Sequence, residues 1–393
     1  MSTAPAVQPE REREPYTLRD LVLYFLHLGT TGFGGPIALV GYMQRDLVEG
    51  RRWITLKDYK EGLALAQLAP GPLAAQLAIY LGWLDHGVLG ATLVAIAFVL
   101  PSFVMVFVIA ALYLAYGGLP WMQGAFYGIG AAVIAIIVRS AVKLTRLTLG
   151  RDALLWVLFG LAALVTAWTE SEIVWVFLGA GAVSVAVRTW RSRPAPTVTA
   201  LALVPPFFLS GLAGPATSET LGRIGWYFAE AGAFVFGSGL AIVPFLHGGV
   251  VREFGWLTER QFLDAVAVAM ITPGPVVITV GFIGYLVAGP AGAVVAALAT
   301  FLPCYLFTVV PAPHFQRWSR VPAVQAFVDG VTAAATGAIA GAAFVLGRRA
   351  IVDLTTLAIA GIALVVAGRF RKVPEPVLIG AAGAVGIVIK MLR

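Results

Sequence analysis

Residues 33–53 read FGGPIALVGYMQRDLVEGRRW, and the start of this stretch decides the fold. Gly34, Gly35 and Pro36 interrupt an otherwise apolar run, and a burst of charge follows over 44–52. Proline inside a helix removes a backbone hydrogen bond and clashes with the preceding turn. The apolar run is therefore predicted to contain a break, after which Pro36 begins a new half-helix.

The composition of the whole chain is that of a membrane protein. Of its 393 residues, 59% are hydrophobic and 12% are charged, whereas a soluble domain carries about twice that charge. Apolar runs recur that have about the 20 residues needed to cross a hydrocarbon core of roughly 30 Å. We predict an all-α polytopic membrane protein whose polar N-terminal tail is not a secretory signal peptide.

Several function classes lack the residues that they need. The only cysteine, Cys304, excludes an internal disulfide and a multi-cysteine metal site. The sequence shows no P-loop, no trusted Ser-His-Asp spacing and no histidine cluster, so it predicts neither an enzyme nor a cofactor. The net charge of +7 is attributed to cytoplasmic loops at the lipid surface, not to nucleic-acid binding. The sequence is compatible with a homodimer but does not determine the oligomeric state.

The chain matches itself at an offset of about 203 residues. Phe-Gly at 33–34 matches Phe-Gly at 236–237, and Pro-Gly-Pro at 70–72 matches Pro-Gly-Pro at 273–275. Matched helix breakers are stronger evidence of duplication than matched apolar residues, which coincide by chance. The predicted organisation is a cytoplasmic tail over 1–20, a first repeat over 21–168, linking transmembrane segments over 169–221, a second repeat over 222–367 and a final transmembrane segment over 368–393.

Charge indicates that the two repeats have inverted topology. Seven predicted apolar segments separate their starts, and an odd number inverts the second repeat. The loop 45–61 carries five basic residues and its counterpart 248–264 carries two, so the first is predicted to be cytoplasmic and the second external. The tail before residue 21 is basic as well. Both basic stretches stay inside if 21–44 and 62–84 are each re-entrant.

The four breaks, at 32–36, 69–72, 235–239 and 272–275, predict a binding site. Paired broken segments in inverted repeats mark the midplane site of secondary transporters. Helix N-termini at such breaks favour anions. The alternative is that glycine and proline here only kink helices or allow close packing.

Five polar residues are candidates for coupling or for guiding the anion. Glu230, a carboxylate at membrane depth, is predicted to bind a proton, or else to pair near the membrane edge. His27, at the matching position, either binds the anion or titrates, or packs as an ordinary helix residue. Gln67 flanks the first Pro-Gly-Pro and is a hydrogen-bond donor. Arg139 and Lys143 lie on one helix stripe that either gathers anions or anchors the helix at the interface.

These motifs resemble the chromate ion transporter family. The resemblance rests on FGGP followed by MQRDLVEGRRWIT, on LAPGPLAAQLAIYLGWLDHG, on FVLPS, and on FGSGLAIVPFL with TPGPV in the second repeat. The chain departs from the family pattern at Leu39, Leu73 and Ala75, where polar residues are frequent, and at Ser238, where glycine is frequent. Together the breaks and the resemblance predict these substrate-binding residues: Phe33, Gly34, Gly35, Pro36, Pro70, Gly71, Pro72, Gln76, Phe236, Gly237, Ser238, Gly239, Pro273, Gly274 and Pro275.

The resemblance implies a duplicated protein of the bacterial inner membrane that exports chromate and is associated with chromate resistance. Sulfate is implied as a related or competing anion. The predicted function is export of a tetrahedral oxyanion, driven by the membrane potential, with proton coupling as an added expectation. A sulfate or other oxyanion permease and a passive anion channel are the alternatives.

Overall fold

A computed structural model describes residues 13–33, 35–116, 120–169, 174–189, 217–234, 242–315, 321–370, 373 and 375–392. Within these ranges all regular structure is helical, which confirms the predicted fold class. Four of the predicted site residues of the second repeat, Phe236, Gly237, Ser238 and Gly239, lie outside the described residues, as do Gly34 and the part of the predicted linking segments over 190–216.

Fourteen α-helices fall within the described ranges. They are α1 (Leu18–Thr31), α2 (Gly35–Met43), α3 (Leu56–Leu68), α4 (Leu73–Tyr116), α5 (Pro120–Thr148), α6 (Ala153–Thr169), α7 (Val174–Thr189), α8 (Ser218–Phe234), α9 (Ile242–Leu246), α10 (Glu259–Ile271), α11 (Thr279–Val309), α12 (Pro322–Ala350), α13 (Leu354–Arg369) and α14 (Glu375–Leu392). Both α2 and α9 continue into π-helical turns, Gln44–Gly50 and His247–Glu253.

Five helical stretches are long and apolar enough to cross a membrane. They are Leu73–Tyr116, Trp121–Lys143, Val276–His314, Pro322–Arg348 and Glu375–Leu392. Three shorter apolar helices, Ala153–Thr169, Trp175–Arg188 and Leu354–Arg369, accompany them. These lengths and compositions agree with a polytopic membrane protein.

Two of the long helices are in fact helical hairpins. The backbone of α4 leaves helical geometry at Gly87, where φ is 57°. A Cβ placed on Gly82 would lie 2.6 Å from the carbonyl oxygen of Gly90, although residues eight apart in a straight helix are about 12 Å apart. The chain therefore reverses at Gly87 and forms an inner arm, α4a (73–86), and a crossing arm, α4b (88–116). The helix α11 reverses in the same way at Gly289, giving α11a (279–287) and α11b (290–309).

The first broken segment turns back instead of crossing the molecule. Tyr16, just before α1, stacks on Trp53, shortly after the π-helical turn that follows α2, with ring centroids 5.3 Å apart. The backbone N–H of Glu14 donates to the carbonyl oxygen of Arg52 at 3.0 Å. The 14 residues of α1 span about 21 Å, which is less than the roughly 30 Å of a hydrocarbon core. Helices α1 and α2 thus form a re-entrant hairpin, which is the arrangement that keeps both basic stretches on one side.

The second broken segment returns to the same end. Arg13 forms ion pairs with Asp58, at the start of α3, and with Asp85, at the end of α4a, the latter at 3.2 Å. The hydroxyl of Tyr16 donates to Asp85 at 2.5 Å. Since α3 begins and α4a ends beside the same arginine, the pair is a second re-entrant hairpin. We call this side, which carries 13–17, the loop 44–55 and the Gly87 turn, the basic end of the molecule.

Thiol labelling of Arg45→Cys tests the re-entrant geometry. Arg45 is exposed at the basic end, so the variant is expected to react with a membrane-impermeant maleimide in everted vesicles and not in intact cells. The native Cys304 is fully buried and stays silent. Arg252→Cys, in the equivalent loop of the second repeat, is the matched control and should show the reverse pattern. Labelling of Arg45→Cys from outside would mean that 21–44 crosses the membrane.

The two repeats run in opposite directions. The hydroxyls of Thr92 on α4b and Tyr305 on α11b lie 2.7 Å apart. Phe107, about 22 Å further along α4b, packs edge-on against Tyr285, near the Gly289 turn, at 4.9 Å. The crossing arms are therefore antiparallel, and the Gly87 and Gly289 turns lie at opposite ends. This arrangement agrees with the predicted inversion.

The helices at the end of each repeat pack on the other repeat. Helix α6 of the first repeat and α7, in the linking region after it, pack on α12 of the second repeat, whereas α13 of the second repeat and α14, in the final segment after it, pack on α5 of the first. Small residues allow close approach at both contacts: Gly330 of α12 lies against the backbone of Ala180, and Gly124 of α5 against that of Gly386. Each repeat thus completes the core of the other, and α14 is the structural counterpart of α7.

Candidate functional site

A break of the first repeat contacts a break of the second. Helix α1 ends at Gly32, whose N–H donates to the carbonyl oxygen of Leu28 at 2.7 Å, and the carbonyl oxygen of Gly32 accepts from Gly274 at 2.9 Å. Gly274 is the centre of the second Pro-Gly-Pro and has a φ of +91°, which favours glycine. The predicted site is therefore an interface between the repeats.

The second Pro-Gly-Pro has no room for a side chain. A Cβ on Gly274 would overlap the hydroxyl oxygen of Ser102, on α4b, and would lie 3.4 Å from the carbonyl oxygen of Gly29. Ser102 is fully buried, and its hydroxyl donates to that same Gly29 oxygen at 3.4 Å. Position 274 thus requires glycine for two reasons: its φ is positive, and a Cβ atom would overlap Ser102.

The first Pro-Gly-Pro makes the equivalent contact with the second repeat. Gly71 has a φ of +142°, and a Cβ there would lie 3.2 Å from the sulfur of Cys304 on α11b. Ser102 and Cys304 are equivalent positions of the two repeats. Each Pro-Gly-Pro therefore lies against the crossing arm of the opposite repeat, a geometry that neither repeat can form alone.

Two helices and one 3₁₀ turn begin directly at or after these breaks. Helix α2 begins at Gly35, which has a φ of +71°, and Pro36 lies in its first turn. Arm α4a begins directly after Pro72, and a 3₁₀ turn, Val276–Ile278, begins directly after Pro275. The first N–H groups of a helix have no partner within it, and the helix dipole there attracts anions. That the backbone donors at these breaks bind an oxyanion stays a prediction.

Gln76 holds the first Pro-Gly-Pro in place. Its side chain is fully buried, and Nε2 donates to the carbonyl oxygen of Pro70 at 2.7 Å. A carbonyl oxygen only accepts, so the amide nitrogen must face Pro70, and Oε1 has no hydrogen-bond partner among the described residues. The sequence predicted Gln76 as a donor to the anion; one of its N–H groups is used instead to fix the break.

Among the residues that the structure describes, no hydrogen bond or ion pair joins the other polar candidates to a break. His27 is exposed on α1 and Gln67 is exposed on α3, while Glu230 is half-buried near the end of α8. Arg139 and Lys143 interact electrostatically with Glu375, at the start of α14. Their basic stripe is therefore partly neutralised by an acid that the sequence analysis had not connected with it. Their proposed roles stay predictions.

Sequence reasoning missed one buried carboxylate, Asp264. It lies on α10 with 5% of its surface exposed and accepts a hydrogen bond at 2.7 Å from the hydroxyl of Tyr113 on α4b. The repeat contained a signal for it: Lys57 and Glu61 of α3 match Arg260 and Asp264 of α10. A cation followed four residues later by an acid thus occurs at the same place in both repeats.

Comparison with known proteins identifies related sequences over nearly the whole chain. The family model described as chromate transporter matches residues 19–185 and 222–387, ranges that include most of α7 and most of α14. The chain is 60% identical over 377 residues to the chromate transport protein of Cupriavidus metallidurans, covering 95% of this chain and 93% of that one. It is 56% identical over 379 residues to a probable chromate transport protein of Synechococcus elongatus, covering 95% and 96%.

A more distant relative matches as completely. The chromate transport protein of Pseudomonas aeruginosa is 30% identical over 405 residues, covering 99% of this chain and 95% of that one. No solved structure matches the chain significantly.

Proposed function

Because this chain belongs to the chromate transporter family, we propose that it is a secondary transporter that exports chromate from the cytoplasm. The observation that carries the proposal is the hydrogen bond between Gly274 and Gly32, which joins breaks of two inverted repeats. Inverted repeats with broken helices at their interface are the architecture in which alternating access moves a substrate bound near the midplane.

The proposed orientation of the protein in the membrane rests on the charge of its loops. The basic end carries Arg45, Arg51 and Arg52 in the loop after α2, whereas the equivalent loop after α9 carries only Arg252. Basic loops stay in the cytoplasm, so the first repeat is taken to open inward and the second outward. The oxyanion would then enter from the basic end and leave at the other.

The membrane potential is sufficient to drive export. One elementary charge crossing 100 mV is worth about 2.3 kcal/mol, so an inside-negative membrane favours exit of a dianion by about 4.6 kcal/mol. At about 1.4 kcal/mol for each factor of ten, this sustains a gradient of about three orders of magnitude. Import would instead require co-transported cations, which makes export the better supported direction.

Transport by everted vesicles tests this function. Energised everted vesicles that contain the protein are expected to accumulate chromate in a saturable manner, and an uncoupler should abolish accumulation. Competition with sulfate and with phosphate then identifies the preferred oxyanion. A chain that moves sulfate in preference to chromate would be the alternative oxyanion permease.

Counterflow separates a transporter from a passive anion channel. Vesicles preloaded with unlabelled chromate should transiently concentrate labelled chromate if the site faces one side at a time. A channel gives neither saturation nor counterflow. Vesicles without the protein are the control, and equal uptake by both preparations would contradict the proposal.

A further inference from the structure

We propose that Asp264 binds the proton that this protein exchanges for its oxyanion, an inference that rests on the proposed function. Its side chain is 5% exposed and lies on α10, about 7 Å from the start of that helix and about 12 Å before the break at Thr272. A buried charge is costly unless it is paired and hydrogen-bonded, and ionisable side chains inside membrane proteins mark proton relays and substrate pathways. Neither the break geometry nor the family comparison assigns a role to this residue.

Asp264 links the two repeats through a single hydrogen bond. The donor, Tyr113, belongs to α4b of the first repeat, and the acceptor belongs to the second. The Tyr113 ring is fixed edge-on by Phe126 and Phe282, each with its centroid 5.5 Å away. The hydroxyl is therefore held in position, and the strength of the link depends on the charge of the carboxylate.

Among the described residues, the charged and titratable groups that act on Asp264 lie on two elements. Tyr113 faces it from α4b, and Arg260 lies one turn earlier on α10 itself. The guanidinium group of Arg260 donates a hydrogen bond to the carbonyl oxygen of Gln123 on α5, at 3.5 Å. From α5 and α11 the rings of Phe126 and Phe282 close the surroundings of the Tyr113 hydroxyl.

Protonation of Asp264 would loosen the contact between the repeats. The ionised carboxylate accepts a charge-assisted hydrogen bond from Tyr113 and is attracted to Arg260. Charge-assisted hydrogen bonds are roughly twice as strong as neutral ones, so proton uptake weakens both interactions and favours separation of α4b from α10. The proton comes from water at the end opposite the basic end, travels as the neutral acid and is released to cytoplasmic water. No other bond forms or breaks.

The equivalent residue of the first repeat lies in a different environment. Glu61 on α3 is half-buried, whereas Asp264 is buried. Inverted repeats exchange their conformations when a transporter alternates between inward- and outward-facing states. Exchange of these two environments would expose Asp264 on the outer side in the other state, which is where it must take up its proton.

Proton flux in proteoliposomes tests the role of Asp264. The full chain is reconstituted at a clamped potential with a pH-sensitive dye inside, and chromate movement is started. Wild-type protein is expected to move protons opposite to chromate. Asp264→Asn, which mimics the neutral acid, should lower proton flux per chromate at least tenfold while chromate counterflow stays within threefold. Glu219→Gln, an exposed acid of α8, is the matched control and should retain both.

The outcomes separate this inference from the proposed function. If wild-type protein moves no chromate, the proposed function fails. If it moves chromate without protons, or if Asp264→Asn moves as many protons as wild type, the role of Asp264 fails and the function stands.

A second measurement uses wild-type protein alone, so it tests whether Asp264 binds a proton even if Asp264→Asn does not fold. A hydrophobic carbodiimide reacts with protonated carboxyl groups, and mass spectrometry should locate the adduct at Asp264, formed faster at pH 6 than at pH 8. No adduct at Asp264 at either pH would overturn the proposal.

Discussion

Gly274→Ala is expected to reduce chromate transport at least tenfold. The residue has a φ of +91°, which L side chains rarely adopt, and its N–H bonds across the repeats to Gly32. An added methyl group would overlap the Ser102 hydroxyl and lie 3.2 Å from the Ser102 Cβ. Because Ser102 is fully buried on a crossing arm, either its hydroxyl turns away from Gly29 or the break moves, and a displacement of about 1 Å at a site can cost about 10²-fold in rate. Chromate counterflow in everted vesicles, normalised to protein content, measures the effect.

Gly255→Ala is the matched control for this change. Gly255 also has a positive φ, +58°, but nothing lies within 4 Å of the position of its Cβ. Both variants therefore carry backbone strain, and only Gly274→Ala adds a collision at the break. Transport by Gly255→Ala should stay within twofold of wild type. Equal losses in both variants would mean that strain, not the contact between repeats, is responsible.

A second substitution locates the collision. Ser102→Ala removes the hydroxyl oxygen that a methyl group on Gly274 would overlap, and leaves the rest of α4b unchanged. The double variant should therefore recover part of the transport that Gly274→Ala loses. Changes at residues that touch are not additive, whereas unrelated defects would simply sum. An additive result would place the defect away from Ser102.

Gly232→Ala is expected to lower the free energy of unfolding by about 1–3 kcal/mol, the usual cost of overpacking. A Cβ on Gly232 would collide with the backbone of Thr300 on α11b. In the first repeat, Gly29 meets the backbone of Phe98 in the same way. Since the obstacle is a main-chain carbonyl and not a flexible side chain, it cannot move aside. Thermal unfolding of purified protein in detergent measures the loss.

Gly222→Ala, on the same helix, should raise the free energy of unfolding instead of lowering it. Nothing lies within 4 Å of the Cβ position of Gly222, and alanine is favoured over glycine in a helix by roughly 0.5–1 kcal/mol. The pair thus compares one chemical change at two positions of α8. If both variants unfold earlier than wild type, the close approach to Thr300 is not the cause.

Much of the fold is predictable because it depends on local properties of the chain. The length of the apolar runs predicts membrane helices, and glycine and proline at 34–36 and 70–72 predict breaks because they act on their own backbone. The repeat at an offset of about 203 residues and the basic loop 45–61 predict inversion. The structure adds that the chain reverses in tight hairpins at Gly87 and Gly289.

The candidate site was only partly predictable. Pro70 to Pro72 and Pro273 to Pro275 were assigned correctly as breaks, but their partners, Ser102 and Cys304, come from the opposite repeats. His27 and Gln67 have suitable side chains, yet they are exposed on their helices. Asp264 was overlooked because a lone acid near the start of a helix gives no signal in sequence, although its match to Glu61 was available.

The sequence by itself determined the membrane class, the duplication and the positions of the breaks, since each depends on composition or on the backbone preferences of single residues. The tertiary structure alone decided which break meets which arm, that α6 and α7 pack on α12 while α13 and α14 pack on α5, and that Tyr113 reaches Asp264. These contacts join residues roughly 150 to 260 positions apart. Their energy depends on packing and hydrogen-bond geometry across the repeats, which no local pattern of residues encodes.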